Sequence, residues 1–200
     1  GAKIAALCDR DKKNLSMASE ILPEKESVII STDWKKVCEV GDIDLIYIST
    51  DWLTHAEIAV YSMLQGKHVA VEVPAAFSVE ECWQLVDTAE QTRKHCMMLE
   101  NCCYDEFELN TLNMLRQGVF GEVVHGEGAY IHDLRSLNFP PTSTSKKGMR
   151  RADFAMKYAG NIYPTHGLGP ICVAMNIHRG DKMKYLVSMS SKQWGISDYA

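Results

Sequence analysis

The sequence predicts an α/β protein, in which part of a doubly wound parallel sheet is followed by part of an α+β region with an open sheet. In residues 3–117, short apolar runs alternate repeatedly with segments of helical periodicity. The runs are almost continuously apolar, which is typical of strands buried on both faces of a parallel sheet. After Gly121 the pattern changes to longer segments that alternate between apolar and polar residues. We therefore predict a domain boundary near residue 120, with domains at residues 1–120 and 121–200.

Each element of the first domain is predicted from a local signal. Apolar runs predict strands at residues 3–8, 28–30, 44–50, 68–73 and 96–100. Caps, helical spacing and terminating residues predict helices at residues 11–22, 33–40 and 54–65, from Ser78 onwards, and at residues 105–117. In the helix after Ser78, apolar residues recur at intervals of three and four positions: Val79, Cys82, Leu85, Val86 and Ala89. This order of elements predicts a helix between successive parallel strands.

The residues that follow the predicted strands are candidate ligand contacts, because ligands of a doubly wound sheet bind outside the carboxyl ends of its strands. An acidic residue at the end of an early strand commonly binds the 2′-hydroxyl of a ribose, and Asp9 has this position. A lone Asp at a strand end is also a common turn former, so both interpretations stay open. The G-x-G-x-x-G loop that would hold a pyrophosphate does not occur. We expect it one strand and one helix upstream of Asp9, and we expect this chain to be a fragment.

The composition excludes several classes of function. The chain has 200 residues, of which 46% are hydrophobic and 24% charged, and its net charge is −5. Outside the pairs Lys146–Lys147 and Arg150–Arg151, no run rich in lysine or arginine occurs, so we expect no nucleic-acid partner. No apolar run approaches the roughly 18 residues that a membrane span needs. The seven cysteines are scattered without a C-x-x-C pair, so we expect no metal site and mostly buried, reduced thiols.

The second domain is predicted from longer patterns. Residues 122–132 (EVVHGEGAYIH) and 184–190 are predicted strands, and residues 133–151, rich in Ser, Thr, Pro and Lys, are a predicted loop. Tyr130 and His132 lie two positions apart, so their side chains would share one face of the predicted strand.

A stretch rich in Pro and Gly, residues 160–170 (GNIYPTHGLGP), is predicted to present Tyr163 and His166 in a loop at the start of a helix. The start of a helix carries free N–H groups and the positive end of its dipole, which favours anions and developing negative charge. Tyrosine and histidine both exchange protons in catalysis. The alternative is an ordinary turn in which neither side chain has a function.

Several strings in the first domain resemble the Gfo/Idh/MocA superfamily of NAD(P)-dependent sugar oxidoreductases, whose first domain has the Rossmann fold. These strings are Asp9, the T-x-W-x-x-H of Thr50, Trp52 and His55, and the sequence GKHVAVEVP that ends at Pro74. More narrowly, the chain resembles glycoside hydrolase family 109, the NAD-dependent α-N-acetylgalactosaminidases. That resemblance covers essentially the whole chain and rests on VEVPAA, MMLENCCYD, EGAYIHDLR, NIYPTHGLGP and RGDKMKYLVSMSS.

One position departs from the pattern of the wider superfamily. Ordinary members carry a lysine between the Glu and the Pro of an E-K-P motif, where it helps to move the proton of the reacting hydroxyl. Here Val73 stands between Glu72 and Pro74. Valine neither donates nor accepts a proton, so a plain alcohol dehydrogenation would need its acid–base group from elsewhere. Family 109 has the same E-V-P form, which favours the narrower resemblance; the alternative is an inactive relative.

The resemblance implies a glycosidase that hydrolyses terminal α-linked N-acetylgalactosamine through NAD, an exception among glycosidases. NAD takes a hydride from sugar carbon 3, a base removes the proton on carbon 2, the group on carbon 1 is eliminated, water adds, and the hydride returns. Carried over residue by residue, the catalytic candidates are Tyr163, His166, Tyr130 and His132. The substrate candidates are Glu100, Arg135 and Tyr163. The cofactor candidates are Asp9, Thr50, Trp52, His55, Glu72, Val73, Pro74 and Asn101.

Two other functions use the same fold. One is an NAD(P)-dependent sugar or polyol dehydrogenase, which Val73 disfavours, and the other is a non-catalytic sensor of sugar nucleotides. The expected partner is an N-acetylgalactosamine-terminated glycan or another sugar, and a homo-oligomer is compatible with the sequence. The compartment stays open between the bacterial cytoplasm and the periplasm.

Overall fold

The computed structural model describes residues 2–22, 27–138, 146–158, 160–161 and 163–192. The chain divides into two compact units, Gly1–Leu99 and Glu100–Ala200. Among the described residues, no helix combines the length and the apolar character that crossing a membrane requires.

The first unit contains all five predicted strands and four of the predicted helices, with slightly narrower bounds except for the second strand, which extends one residue beyond its prediction. The strands are β1 Ala6–Cys8, β2 Ile29–Ser31, β3 Leu45–Ile48, β4 His68–Val71 and β5 Cys96–Met98. The helices are α1 Lys12–Ile21, α2 Trp34–Cys38, α3 His55–Leu64 and α4 Val79–Thr92, and a 3₁₀ turn, Trp52–Thr54, precedes α3.

Side-chain caps explain where three of these helices begin. The carboxylates of Asp11 and Asp33 accept backbone hydrogen bonds in the first turns of α1 and α2. Ser78 and Glu81 form a reciprocal capping box at the start of α4. Each cap satisfies N–H groups that have no partner within the helix, which stabilises the helix by about 1 kcal/mol.

All strand pairs of the first unit are parallel, which confirms the predicted fold class. β1 pairs with β2, while β3, β4 and β5 form a three-stranded sheet in that order. The doubly wound order 3-2-1-4-5-6 contains both arrangements, because β2–β1 matches 3-2 and β3–β4–β5 matches 4-5-6. The described residues supply no strand for the position between β1 and β3 in that order.

The core of the first unit lies on one face of the three-stranded sheet, against α3 and α4. Ile46 and Ile48 of β3 and Val69 and Val71 of β4 are at most 8% exposed. The alternate residues of β3 are exposed, Tyr47 by 60%. Burial on both faces, as the apolar runs predict, is therefore found on one face only within the described part of the first unit.

The second unit is helical in its described residues. It begins with a 3₁₀ turn, Asn101–Cys103, and continues with α5 Glu106–Arg116, α6 Arg135–Asn138, α7 Lys146–Lys157 and α8 Pro164–Ala174. α5 contacts α8 of the same unit. The compact units accordingly divide between Leu99 and Glu100, whereas the sequence places the boundary near residue 120, after α5.

Two predicted strands of the second domain are wrong. Residues 122–132 and the described residues 184–190 are extended but belong to no strand. Their apolar side chains stay exposed, Val124 by 87% and Leu186 by 83%. Alternation of apolar and polar residues indicates extended backbone, but a strand also needs a neighbouring strand for its hydrogen bonds. The described part of the second unit provides no such neighbour.

The predicted loop at residues 133–151 is also partly wrong, since α6 lies within it and α7 begins within it. Residues 139–145 of that loop lie outside the described residues.

The stretch at residues 160–170 is mostly helix rather than loop. α8 begins at Pro164, with Tyr163 as its N-cap residue and His166 in its first turn. Proline is tolerated at the first helical position because the N–H group that it lacks has no helical partner there. The backbone N–H of Tyr163 donates to Asn161 Oδ1 at 3.0 Å. The two candidate side chains therefore stand on a regular element.

None of the seven cysteines forms a disulfide in the structure, and reduced thiols remain the expectation. The expectation that most are buried is wrong, because only Cys38 is buried and both Cys8 and Cys82 are exposed.

Candidate active site

In the first unit, Asp9 ends β1 with a carboxylate that two donors hold in place. Its Oδ1 accepts from the backbone N–H of Asp11 at 2.7 Å, and its Oδ2 accepts from Asn14 Nδ2 at 3.0 Å. A carboxylate oxygen accepts two hydrogen bonds, so each oxygen keeps capacity for one more. The half-buried Asp9 side chain is thus oriented and fits the paired hydroxyls of a ribose.

An ion pair joins the residues that follow β1 and β3. Arg10 Nη1 lies 2.8 Å from Asp51 Oδ2. The Thr54 hydroxyl donates to the backbone oxygen of Asp51 at 2.7 Å and lies 2.8 Å from the hydroxyl oxygen of Thr50. The exposed Thr50 and the Asp9 loop are therefore held at the same edge of the unit, which is the carboxyl edge of its strands.

His55 is the most buried of the cofactor candidates. Its ring is 1% exposed and lies between two backbone carbonyls, with Nδ1 2.8 Å from Pro74 O and Nε2 3.1 Å from Thr50 O. Both ring nitrogens are thus engaged within the protein. In this position His55 links the residues that follow β3 to those that follow β4.

We expect His55→Leu to lower the free energy of unfolding of the chain by about 1–3 kcal/mol. The reason is that leucine leaves a buried carbonyl oxygen without its donor. Urea denaturation monitored by circular dichroism measures the effect. His125→Leu is the matched control, because the His125 side chain is 74% exposed. An equal shift of the urea midpoint in both variants would contradict the role assigned to His55.

The string Glu72–Val73–Pro74 follows β4. Glu72 Oε1 accepts from the Tyr47 hydroxyl at 2.7 Å, and this hydrogen bond raises the pKa of Tyr47. Val73 is 7% exposed, so the position that bears a lysine in ordinary superfamily members holds a buried apolar side chain. The Trp52 ring, in the 3₁₀ turn before α3, packs against the Phe77 ring, with the two ring centroids 6.0 Å apart.

In the second unit, a carboxylate–imidazole pair forms the centre of the candidate site. Glu100 Oε1 lies 2.5 Å from His166 Nδ1, and Glu100 also accepts from the backbone N–H of Cys102 at 3.1 Å. The side chains are 5% and 17% exposed. With Nδ1–H donating to the carboxylate, Nε2 of the neutral ring is the nitrogen that can accept a proton.

The environment of Glu100 favours its charged form. Burial of the carboxylate raises its pKa, but hydrogen bonds, led by that from His166, outweigh burial, so the pKa of Glu100 is lowered. His166 lies in the first turn of α8, where the helix dipole favours a negative charge. The pair is therefore a charged carboxylate beside an imidazole at a helix N-terminus.

Aromatic rings surround this pair. The rings of Tyr163 and His166 stack with centroids 5.0 Å apart and planes 10° apart. Tyr130 lies 5.3 Å from the Tyr163 ring, 5.1 Å from the His166 ring and 4.6 Å from the His132 ring. The structure thus brings together the four catalytic candidates, although the strand that the sequence proposed for Tyr130 and His132 is not formed.

Glycines allow the segment that carries Tyr130 to cross α8 in backbone contact. A Cβ on Gly167 would lie 2.8 Å from the carbonyl carbon of Gly128 and 2.9 Å from the backbone nitrogen of Ala129. Two residues further along α8, a Cβ on Gly169 would lie 2.9 Å from Glu100 Cγ. The close approach of these segments therefore requires residues without side chains.

Arg151 is a site residue that the sequence did not single out beyond solvation of a loop. Its Nη2 donates to the Tyr163 hydroxyl at 3.0 Å, and its guanidinium lies 5.1 Å from the Tyr163 ring centroid. The helical spacing of Arg151 with Phe154 and Tyr158 is the signal that could have placed it on the inner face of a helix. A guanidinium at this distance stabilises negative charge on the phenol oxygen.

Two further candidates are exposed: Arg135, predicted to bind the substrate, and Asn101, predicted to bind the cofactor. Arg135 forms a double hydrogen bond with the carboxylate of Asp133, and this lowers the pKa of Asp133 to about 2. Both side chains are exposed. Asn101 begins the 3₁₀ turn next to Glu100 and is exposed.

The first unit therefore holds several cofactor candidates at one edge, and the second brings the four catalytic candidates together. Comparison with known proteins gives the families that match the two parts of the chain. Residues 1–100 match the oxidoreductase family with an NAD-binding Rossmann fold, and residues 104–200 match the C-terminal domain of glycosyl hydrolase 109. The chain belongs to glycosyl hydrolase family 109, within that family of NAD-binding oxidoreductases.

Two curated relatives are each 58% identical across the whole chain. They are glycosyl hydrolase family 109 protein 2 of Phocaeicola vulgatus, of which the chain spans 50%, and an alpha-N-acetylgalactosaminidase of Bacteroides fragilis, of which it spans 48%. The chain thus spans about half the length of these relatives.

Solved structures share the fold. The chain is similar to myo-inositol 2-dehydrogenase of Lactobacillus plantarum, with a TM-score of 0.70 and 19% identity over 88% of this chain and 49% of that one. It is also similar to an oxidoreductase domain protein of Kribbella flavida, with a TM-score of 0.69 and 22% identity over 86% of this chain and 44% of that one.

Proposed function

We propose that the whole protein hydrolyses terminal α-linked N-acetylgalactosamine and that this chain supplies both cofactor contacts and proton-transfer groups. The observation that carries the proposal is the pair of Glu100 and His166 beside Tyr163 and Tyr130, together with a buried Val73 where a dehydrogenase would carry lysine. The name of the Bacteroides fragilis relative, an alpha-N-acetylgalactosaminidase, supports the choice of sugar.

An NAD cofactor fits the first unit, since Asp9 keeps acceptor capacity for a ribose and Thr50 is exposed at the same edge. Trp52, Glu72, Val73 and Pro74 are the further residues of this unit that would hold it, and His55 positions two of the loops involved. When bound, such a cofactor would supply the acceptor, and later the donor, of a hydride.

His166 is the group that exchanges the proton of the reacting sugar hydroxyl. Glu100 holds Nδ1–H, which leaves Nε2 as the acceptor and stabilises the imidazolium that forms. Glu100 is a positioning residue in this arrangement rather than a substrate contact, because its carboxylate is buried and already bonded to His166. A general base of this kind contributes about 10²–10⁴-fold to the rate.

Tyr163 is the group that exchanges the proton on carbon 2. Its hydroxyl accepts from Arg151, so the negative charge that develops on the oxygen during proton transfer is stabilised. The Tyr130 ring contacts both the Tyr163 and the His166 rings and keeps their spacing. The chain therefore supplies two separate proton-transfer groups at the N-terminus of one helix.

The test incubates the full-length protein with an aryl α-N-acetylgalactosaminide in D₂O. We expect release of the sugar with deuterium at carbon 2 and no net accumulation of reduced cofactor. Tyr163→Phe is expected to reduce deuterium incorporation together with sugar release. Stoichiometric reduced cofactor without glycoside cleavage would support the dehydrogenase alternative, and release without deuterium would reject the role of carbon 2.

A further inference from the structure

Three metal-ligating groups meet in the second unit. One atom each from Glu100, Cys102 and His166 lie within 4.8 Å of one another. Glu100 and Cys102 come from the 3₁₀ turn at the start of the unit, and His166 comes from the first turn of α8. A carboxylate, a thiol and an imidazole are all ligands of Zn²⁺ and similar soft divalent cations.

One oxygen of this cluster lacks a hydrogen-bond partner. Glu100 is 4% exposed, and among the described residues its Oε2 is buried and accepts no hydrogen bond. A buried carboxylate oxygen without a donor is costly, and a cation would satisfy it.

We propose that Glu100, Cys102 and His166 bind one soft divalent cation, such as Zn²⁺ or Cd²⁺, and that the bound ion inhibits the enzyme. Bonds of about 2.0–2.3 Å to nitrogen, oxygen and sulfur place three ligands of one ion roughly 3–4 Å apart. The cluster therefore contracts by about 1 Å when the ion enters. Three protein ligands leave the fourth tetrahedral position to water.

The proton balance explains the inhibition, and this part rests on the proposed function. The ion binds His166 through Nδ1, the nitrogen that faces Glu100, and the Nδ1 proton moves to Nε2. The ion also replaces the thiol proton of Cys102, so one proton is released to solvent for each ion bound. With a proton fixed on Nε2, His166 no longer accepts the proton of a sugar hydroxyl.

Binding should weaken at low pH because thiolate is the ligand. The ion has to displace the thiol proton of Cys102, so its affinity rises with pH.

The test titrates the full-length protein with Cd²⁺ and records the ultraviolet absorption of the cadmium–thiolate bond, without substrate. Cys103→Ser is the matched control, because the neighbouring thiol is outside the cluster. We expect one bound ion per chain in the wild type and in Cys103→Ser, and loss of the cadmium–thiolate band in Cys102→Ser. An unchanged band in Cys102→Ser, or loss of the band in Cys103→Ser, would overturn the proposal.

Activity measurements separate this proposal from the glycosidase assignment. Cys102→Ser should keep basal activity and lose sensitivity to Zn²⁺, while Cys103→Ser should stay sensitive. The absorption titration does not depend on any substrate, so metal binding can be confirmed even if the aryl glycoside is not cleaved. Metal binding without inhibition in an active enzyme would reject the role of the ion at His166.

Discussion

Gly167→Ala is expected to destabilise the chain by about 1–3 kcal/mol and to lower glycosidase activity of the full-length protein by roughly 100-fold. The new Cβ would lie 2.8–3.0 Å from backbone atoms of Gly128 and Ala129, and backbone cannot move aside as a flexible side chain can. Alanine normally stabilises a helix by about 1 kcal/mol relative to glycine, so destabilisation here reverses the usual sign. Thermal unfolding and a glycosidase assay measure the two effects.

Gly126→Ala is the matched control for this substitution. Its Cβ would meet the side chains of Ile171, at 3.1 Å, and Met175, at 3.5 Å, and these side chains can adjust. We expect a change below about 1 kcal/mol in Gly126→Ala. If both variants unfold at the same temperature as the wild type, the segment that bears Tyr130 does not cross α8 in backbone contact.

Glu100→Gln is expected to lower kcat by about 10²–10⁴-fold with a smaller change in KM. Glutamine keeps the size of the side chain but removes the charge that stabilises the imidazolium of His166. Its amide can also donate to Nδ1, which favours the wrong tautomer of the ring. A large increase in KM with an unchanged kcat would instead indicate that Glu100 contacts the substrate directly.

The same substitution should flatten the acid limb of the stability profile. The pKa of Glu100 is lowered below its ordinary value of 4.5, so its charge contributes stability that is fully present above pH 4.5 and is lost as the pH falls through the folded-state pKa. In Glu100→Gln this contribution is absent at every pH. Denaturation midpoints of wild type and variant should therefore converge on acidification below pH 4.5. Glu106→Gln is the control, because the side chain of this glutamate in the first turn of α5 is exposed.

The elements of the first unit are predicted well because their signals are local. Asp33 and Ser78 cap helices by accepting hydrogen bonds from residues two and three positions away. Apolar runs mark β3 and β4 whichever strands they pair with. The strand predicted at residues 122–132 fails because pairing depends on a partner that a local pattern does not contain. The loop predicted at residues 160–170 is mostly wrong for a local reason. Proline commonly interrupts helices, but Pro164 occupies the first helical position, where proline is favoured.

The candidate site is predicted in its residue types but not in its roles. The motifs named Tyr163, His166, Tyr130 and Glu100, and these side chains do lie together. That Glu100 bonds to His166 could not be predicted, because the two residues are 66 positions apart and meet through the packing of α8 on a turn. Arg151 was missed because its helix was predicted as loop.

The separation of β1–β2 from β3–β4–β5 has a consequence for handling this chain. In the β1–β2 pair, one edge of β1 has no neighbouring strand among the described residues. In the three-stranded sheet, the same is true of one edge of β3. Unpaired strand edges expose rows of N–H and C=O groups that associate with other chains. Solutions of this 200-residue chain should therefore self-associate as concentration rises. A peptide or upstream segment able to lie between the two ladders should keep the chain monomeric, which light scattering would measure.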